Sequence, residues 1–228
     1  MTHQLYQPNT NEDYRNRIFN GDATQQLKKL PADSIDLVLT DVPYLIGYRD
    51  RLGRTVANDT NPDGVLPSFP EMYRVLKNDS YAIIFCGWSA IDQFSTAWTQ
   101  AGFRTVGQIF WKKPYASSKW HTEARHESAW LLAKGRPAKP AHPVSDVQEW
   151  TYSGNRFHPT EKSIEVLKPV IEAYSNKGDI VLDPFAGSGG TCVAASLKGR
   201  DYIGIELEKE YCEHTKRRLA GVSSYRAK

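Results

Sequence analysis

Short apolar runs alternate along this chain with segments whose apolar residues fall three or four apart. The first pattern predicts buried strands and the second amphipathic helices. Arg17 to Asn20 reads as a short strand, closed by Gly21-Asp22. A brief helix follows over Ala23–Leu30, stopped by Pro31, and Ile35 to Thr40 is a second strand. A helix carrying Met72, Val75 and Leu76 ends near Lys77-Asn78-Asp79, and Ser80 to Gly87 is again a strand. Ser89 is placed to cap the next helix, with Ile91, Phe94, Ala97 and Trp98 on one face and Ala101-Gly102 as its end. Strands are predicted over Val106–Trp111 and Ser128–Ala133. The last third is the most regular. A helix with Ile164, Leu167 and Ile171 facing inward stops at Asn176-Lys177-Gly178, and a strand then ends at Asp183. A Gly-rich turn opens a helix that ends at Gly199, a strand ends at Glu206, and a charged helix covers Leu207 to Leu219. This alternation predicts an α/β fold with a doubly wound, mostly parallel sheet.

Between these elements lie two irregular stretches, a Gly/Asn/Asp/Pro-rich loop over 45–70 and a Pro/His/Ser-rich segment over 137–157. Loops of such length in a compact domain are commonly functional. Residues 1–16 are polar and unpatterned, which predicts a flexible lead-in. The length of 228 residues suits one domain. A net charge of +3 is too small to identify a polyanionic partner by itself. Its distribution says more. Lys112, Lys113, Lys119, Arg125, Lys134, Arg136 and Lys139 crowd a stretch holding only Glu123 and Glu127, with Tyr115, Trp120 and His121 among them. The three cysteines are widely separated and odd in number, as expected of buried thiols in a reducing compartment. No leader or membrane-length apolar run is evident, so a cytoplasmic protein is expected.

Two stretches carry chemistry. Thr40-Asp41-Val42-Pro43-Tyr44 puts an acid, a stiffening proline and an aromatic ring where a strand ends. Ligands of open α/β sheets bind at such ends. The acid is suited to accept from an amine, the ring to stack on a flat partner, and the Val42 carbonyl has a defined direction ahead of Pro43. The second stretch is Asp183-Pro184-Phe185-Ala186-Gly187-Ser188-Gly189-Gly190-Thr191. Its glycines allow close backbone approach, and the helix start offers free N–H groups. Glu206 ends the next strand about 20 residues on, where an acid suits a ribose hydroxyl pair. Neither the six-position dinucleotide pattern nor a Gly-Lys-Ser/Thr phosphate loop is present, which points to a nucleoside without a phosphate chain.

These stretches resemble the motifs of amino-directed DNA methyltransferases. The Asp183–Thr191 run is similar to their Asp-Pro-Phe-x-Gly-Ser-Gly-Thr loop with one extra glycine. Asp41-Val42-Pro43-Tyr44 is similar to their Asp-Pro-Pro-Tyr motif, and His158-Pro159-Thr160-Glu161-Lys162 to their His-Pro-Thr-x-Lys segment. The order, with the acid motif first and the cofactor loop last, resembles the permuted β group over about residues 17 to 219. The resemblance implies a Rossmann-like, class I methyltransferase fold, circularly permuted, with a small target-recognition insert. It implies a single catalytic domain over 17–228, with DNA-contact segments within 45–70 and 112–157. The cofactor implied is S-adenosylmethionine, with no metal, and the partner is double-stranded DNA. Dimerisation is common in the group, and neither a homodimer nor a restriction endonuclease partner is decided by the sequence. A bacterial or phage origin fits.

By the same resemblance, Asp41 and the Val42 carbonyl would hold the exocyclic amine of a flipped-out base, Pro43 would fix that carbonyl, and Tyr44 would stack on the base. Asp22, His158, Thr160, Lys162, Asp183, Phe185, Ala186, Gly187, Ser188, Gly189, Thr191 and Glu206 would hold the cofactor. Arg49, Arg51, Arg54, Lys112, Lys113, Lys119, Trp120, His121 and Arg125 would meet DNA. Some of these have plain structural readings. Phe185 suits a core, Asp22 a turn, and Thr160 a helix cap. Val42 departs from the family's first proline, which leaves a backbone carbonyl but less rigidity. Asp at position 41 is typical of enzymes that methylate adenine N6, the leading reading. The alternatives are cytosine N4, an RNA or protein-amide substrate, and a DNA-binding module without catalysis.

Overall fold

The computed structural model describes residues 14–50, 53–119, 121–154 and 160–226, with side chains to residue 222. Arg51, Trp120, His158 and nearly all of the expected lead-in lie outside the described residues. The strands are β1 (Arg17–Asn20), β2 (Ile35–Asp41), β3 (Leu76–Phe85), β4 (Arg104–Lys112), β5 (His126–Lys134), β6 (Val147–Glu149), β7 (Ile180–Asp183) and β8 (Asp201–Glu206). They form one sheet in the order β1-β8-β7-β2-β3-β5-β4-β6. From β1 through β3 every pairing is parallel. β5 runs antiparallel to both β3 and β4, and β6 lies parallel to β4 at the edge.

The helices are α1 (Ala23–Leu27), α2 (Ser68–Val75), α3 (Ile91–Ala101), α4 (Ile164–Tyr174), α5 (Gly190–Leu197) and α6 (Lys209–Arg226). Two packed layers cover the two faces of the sheet. Val38 and Val42 of the β2 stretch, with Ile84 and Leu182, face Leu27, Phe69, Met72, Phe94 and Trp98 of α1, α2 and α3. Leu37 and Leu39, one residue out of phase, join Ile83, Phe85 and Val181 under Val166, Leu167, Val170 and Ile171 of α4 and Ala194 and Ala195 of α5. The alternation follows from the two-residue period of a strand. A strand covered on both faces reads as an unbroken apolar run, as Ile35 to Thr40 does. Each large side chain buried in this way contributes roughly 1.5–3 kcal/mol.

The fold class, the doubly wound sheet and the element order agree with the sequence. Several boundaries differ. α1 stops at Leu27, and the chain to Leu30 continues in tight turns. Leu76 begins β3 rather than ending a helix, with extended backbone. Its spacing from Met72 mimics a helical stripe because both residues face the same core. Ser89 caps nothing. It lies in a 3-10 turn over Trp88–Ala90, and Ala90 stands at the start of α3 without a side-chain cap. β6, three residues long with only Val147 apolar, lay hidden in the irregular stretch.

Candidate active site

The C-terminal ends of β1, β2, β7 and β8 open into one cleft of about 1060 Å³. It brings together Asp22, Asp41, Val42, Pro43, Tyr44, Thr160, Lys162, Asp183, Phe185, Ala186, Gly187, Ser188, Thr191 and Glu206. The two stretches singled out from the sequence, whose first residues Thr40 and Asp183 are 143 positions apart, meet because β2 and β7 are neighbours, with Val38 opposite Leu182.

Asp41 is the last residue of β2 and lies opposite Phe85 of β3. Lys162 donates from Nζ to Asp41 Oδ2 at 2.7 Å. Asp41 Oδ1 is buried and accepts a hydrogen bond from no described residue. A buried, unsatisfied carboxylate oxygen is costly unless a ligand supplies the donor. Burial raises the Asp41 carboxyl above its usual range, and Lys162 works against that rise. Burial also opposes the charge of Lys162, but Asp41 and Glu127 outweigh it and hold the ammonium above the ordinary lysine value.

Glu127 completes the cluster. It is ion-paired with the buried Lys113, lies 3.9 Å from Lys162 Nζ, and accepts from the Tyr44 hydroxyl at 3.4 Å. Burial pushes its carboxyl up, yet Lys162 and Lys113 bring the balance below the usual value. Lys162 also donates to the Tyr44 hydroxyl at 3.3 Å, and its ammonium stands 5.4 Å from the centre of that ring. Gly87 lets the chain pass the ring, since a Cβ there would lie 3.0 Å from Tyr44 Cβ. Val42 shows why valine is accommodated where the family has proline. Its N–H donates to the Phe85 carbonyl at 3.1 Å, adding a rung that proline lacks the hydrogen to make, and its side chain is buried.

The loop after Tyr44 is held from within. Asp59, only 4% exposed, accepts from the Leu45 N–H at 2.9 Å and the Tyr48 N–H at 2.5 Å. Leu45 takes a left-handed conformation, with φ 61°. The carboxylate fixes the direction in which the chain leaves the site.

On the β7 side, Asp183 is buried. It accepts from the Thr40 hydroxyl at 2.7 Å and from the Phe185 N–H at 3.1 Å. Burial pushes its carboxyl up to about 6. Glu206 accepts from the Gly187 N–H at 2.8 Å and the Glu208 N–H at 2.7 Å, and burial pushes it up to about 7. The turn is braced from behind by α6. Thr215 donates to the Gly187 carbonyl at 3.1 Å, and Arg218 donates to the Ser188 carbonyl at 2.6 Å while pairing with Glu161. Gly189, at φ 82°, lies against Thr215, where a Cβ would come within 2.3 Å of Cγ2. It therefore faces the brace rather than the cleft. The extra glycine, Gly190, starts α5 against the 160–163 segment, where a Cβ would lie 3.2 Å from the Lys162 carbonyl. Beside it, β1 lies parallel to β8, with Asn20 opposite Glu206. Asp22 accepts from the Gln25 N–H at 3.0 Å as the cap of α1 and lines the same cleft.

The structure refines three of these readings. Lys162, assigned with the cofactor residues, lines the cleft and reaches Asp41 and Tyr44, because the segment before α4 passes over the end of β2. Thr160 does not cap α4. Ser163 holds that position, accepting from the Glu165 N–H. Lys113, expected on the DNA surface, is 5% exposed and turned inward to Glu127 and Trp150. The strand alternation of Trp111 in, Lys112 out and Lys113 in was the available signal. Lys112, Arg49, His121 and Arg125 are exposed. Lys119 and Arg125 both pair with Glu123 at 2.8 Å, and Arg54 pairs with Asp50. Glu127, Asp59 and Arg218 were not foreseen. The first was visible only as one of two acids in the basic stretch, and the other two carry no periodic signal.

The family profile described as DNA methylase, for N6 and N4 enzymes, matches residues 35–217. A chain of Escherichia coli (strain K12), provisionally named methylase YubD, is 50% identical over 206 residues, covering 90% of this chain and 91% of that one. The DNA adenine methyltransferase YhdJ of the same organism is 33% identical over 249 residues, covering 92% of this chain and 84% of its own. Among solved structures, the M1.HpyAVI complex with SAM superposes with a TM-score of 0.70 at 25% identity, over 89% of this chain and 98% of that one.

Proposed function

The chain belongs to the N6/N4 DNA methylase family, and from that premise we propose that it transfers a methyl group from S-adenosylmethionine to the exocyclic N6 of adenine in double-stranded DNA. The observation that carries this reading is the buried, unsatisfied Oδ1 of Asp41, a residue that lines the cleft. It is an acceptor with no donor among the described residues, and an exocyclic amine supplies one. YhdJ, similar along nearly the whole chain, is named for adenine.

The residues fit the cofactor on three counts. The cleft has the volume, Glu206 presents a carboxylate at its wall, and the 183–191 turn lays backbone along it. Glu206 would accept the ribose hydroxyls, and Asp183 would hold the amino group of the methionyl end. Phe185, Ala186, Gly187, Ser188 and Thr191 would form the wall, with Asp22 and Thr160 beside them. Bound there, S-adenosylmethionine supplies a methyl group on a positively charged sulfur. Asp41 Oδ1 and the Val42 carbonyl would then hold the target amine and direct its lone pair along the line of transfer. Tyr44, anchored through its hydroxyl to Glu127 and Lys162, would hold the base face. Such a transfer depends on positioning and exclusion of water rather than on a strong base. The reading of the chain order as a circular permutation is supported by β1 lying beside β8 while the acid strand precedes the cofactor strand.

DNA contact would fall to segments 45–70 and 112–157, in the cytoplasm. Among the described residues, no helix is long and apolar enough to cross a membrane. Lys112 is expected to carry phosphate contact and Lys113 is not. Lys112→Ala should weaken binding to any duplex and lower the salt slope by about one. An unchanged slope in a fluorescence-anisotropy salt series removes Lys112 from the interface.

Glu206 gives a pH dependence. Burial pushes its carboxyl up to about 7, and only the ionised form offers full acceptor capacity to two hydroxyls. Cofactor affinity should therefore fall as pH drops through 7. Calorimetry at pH 6 and pH 8 measures this, and a Glu206→Gln variant should bind weakly at both. Equal affinities for the unsubstituted protein would remove Glu206 from the ribose site.

The function itself is tested by nucleoside mass spectrometry and modification-aware sequencing of DNA from cells expressing the protein. N6-methyladenine at a recurring sequence is expected. N4-methylcytosine, or no modified base, overturns the reading.

A further inference from the structure

Trp88 is 82% exposed, whereas Trp98 and Trp111 are buried in the core. Its place is fixed on three sides. β3 runs parallel to β2 with Phe85 opposite Asp41, so the chain leaving β3 emerges at the edge where Asp41 ends its strand. Gly87, the residue before it, packs on Tyr44, and a Cβ there would lie 3.0 Å from Tyr44 Cβ and 3.2 Å from the Tyr44 carbonyl oxygen. The residues after it anchor the turn, since Ala90 is buried and the Ile91 N–H donates to the Trp88 carbonyl. The indole is therefore held outward on a short, pinned 3-10 turn beside the ring assigned to the target base.

The neighbouring strand ends carry charge of both signs, with Lys112 opposite Glu149 and Arg125 paired with Glu123. β5 runs antiparallel to β3 with Ala129 opposite Phe85, so its start at His126 and Glu127 lies level with the chain just beyond β3. On the next strand, Lys112 stands opposite His126. Lys112 is exposed, and the Arg125 side chain is 53% exposed. An outward aromatic ring beside Tyr44, with the exposed Lys112 and Arg125 on the neighbouring strand ends, suits a polyanion that carries stacked aromatic faces.

We infer that Trp88 contacts DNA and stacks on the bases left exposed when the target base leaves the helix. The inference rests on the proposed methyl transfer to DNA. Extruding one base removes the stacking partner of its neighbours, and an aromatic or apolar side chain at that point offsets the loss.

The test uses the purified full chain, tritiated S-adenosylmethionine and plasmid DNA lacking the modification. Trp88→Ala is expected to lower kcat/KM for DNA by roughly 5- to 150-fold, the range spanned by stacking of one base on an aromatic ring. Cofactor Kd should stay unchanged, and Trp88→Phe should recover much of the loss while Trp88→Leu does not. Wild-type kcat/KM in Trp88→Ala, or equal recovery by Leu and Phe, overturns the inference. So does a smaller sedimenting species for Trp88→Ala with activity per chain intact, which would make the ring a contact between copies. A second measurement is independent of turnover. The emission present in wild type and missing in Trp88→Phe should be readily quenched by acrylamide and shielded by DNA. Equal quenching with and without DNA overturns the placement even where no tritium is transferred, whereas shielding without transfer leaves the contact standing and removes the methyl-transfer reading instead.

Discussion

Asp41→Ala is expected to reduce methyl transfer by roughly 10²- to 10³-fold, on the scale of losing a preorganised group at a reacting centre, with cofactor binding unchanged. The separation follows from the geometry. Asp41 ends β2, while Asp183 and Glu206 end β7 and β8 and hold their own partners in Thr40, Phe185, Gly187 and Glu208. Removing Asp41 takes away the acceptor for the amine and leaves those contacts in place. Lys162 loses its 2.7 Å partner but keeps Glu127 at 3.9 Å, so its charge stays compensated and the fold should persist. Single-turnover assays with calorimetry on the same preparation measure both halves. Near-normal transfer would remove Asp41 from the chemistry, and loss of cofactor binding would mean that the two half-sites do not act separately.

Lys162→Met should act differently, by moving the pH profile. In the native site burial raises the Asp41 carboxyl and Lys162 opposes the rise. With the ammonium gone, burial acts unopposed and the like charge of Glu127 adds to it. The carboxyl then rises further, so a smaller fraction is ionised at neutral pH. The acid limb of kcat should shift upward by about one to two pH units, within the range one opposite charge commands. The loss should be severe at pH 6 and smaller at pH 9. Lys162→Arg should restore most of the profile. A uniform loss at every pH would assign Lys162 to packing alone, and a downward shift would contradict the electrostatic account.

The parts of this molecule legible in the sequence share one property, that local pattern and tertiary environment agree. Ile35 to Asp41 reads as a buried strand ending in an acid because both of its faces are covered. Asp183 to Thr191 reads as a ligand turn because its glycines are demanded locally. Leu76 misled because the core it enters is the one Met72 faces, so helix and strand share one apolar stripe. Glu127, Lys113 and Lys162 form a buried charge cluster from β5, from just beyond β4 and from the approach to α4. No spacing along the chain encodes such a meeting. Asp59 lies 14 residues from the Leu45 amide it holds, with nothing periodic between them.

The pairing of β2 with β7 has a consequence for how the site can vary. Val38 lies opposite Leu182, so Leu39 is level with Asp183, and Asp41 projects two residues beyond it on the adjacent strand. That offset is set by interstrand spacing and residue rise, about 4.8 Å across and 3.3 Å per residue along. Both are dictated by backbone hydrogen bonds rather than by side chains. The sheet therefore acts as a ruler between the two carboxylates. Substitutions around the rim can change what the cleft admits, while the offset between Asp41 and Asp183 stays fixed by the backbone pairing of two neighbouring strands.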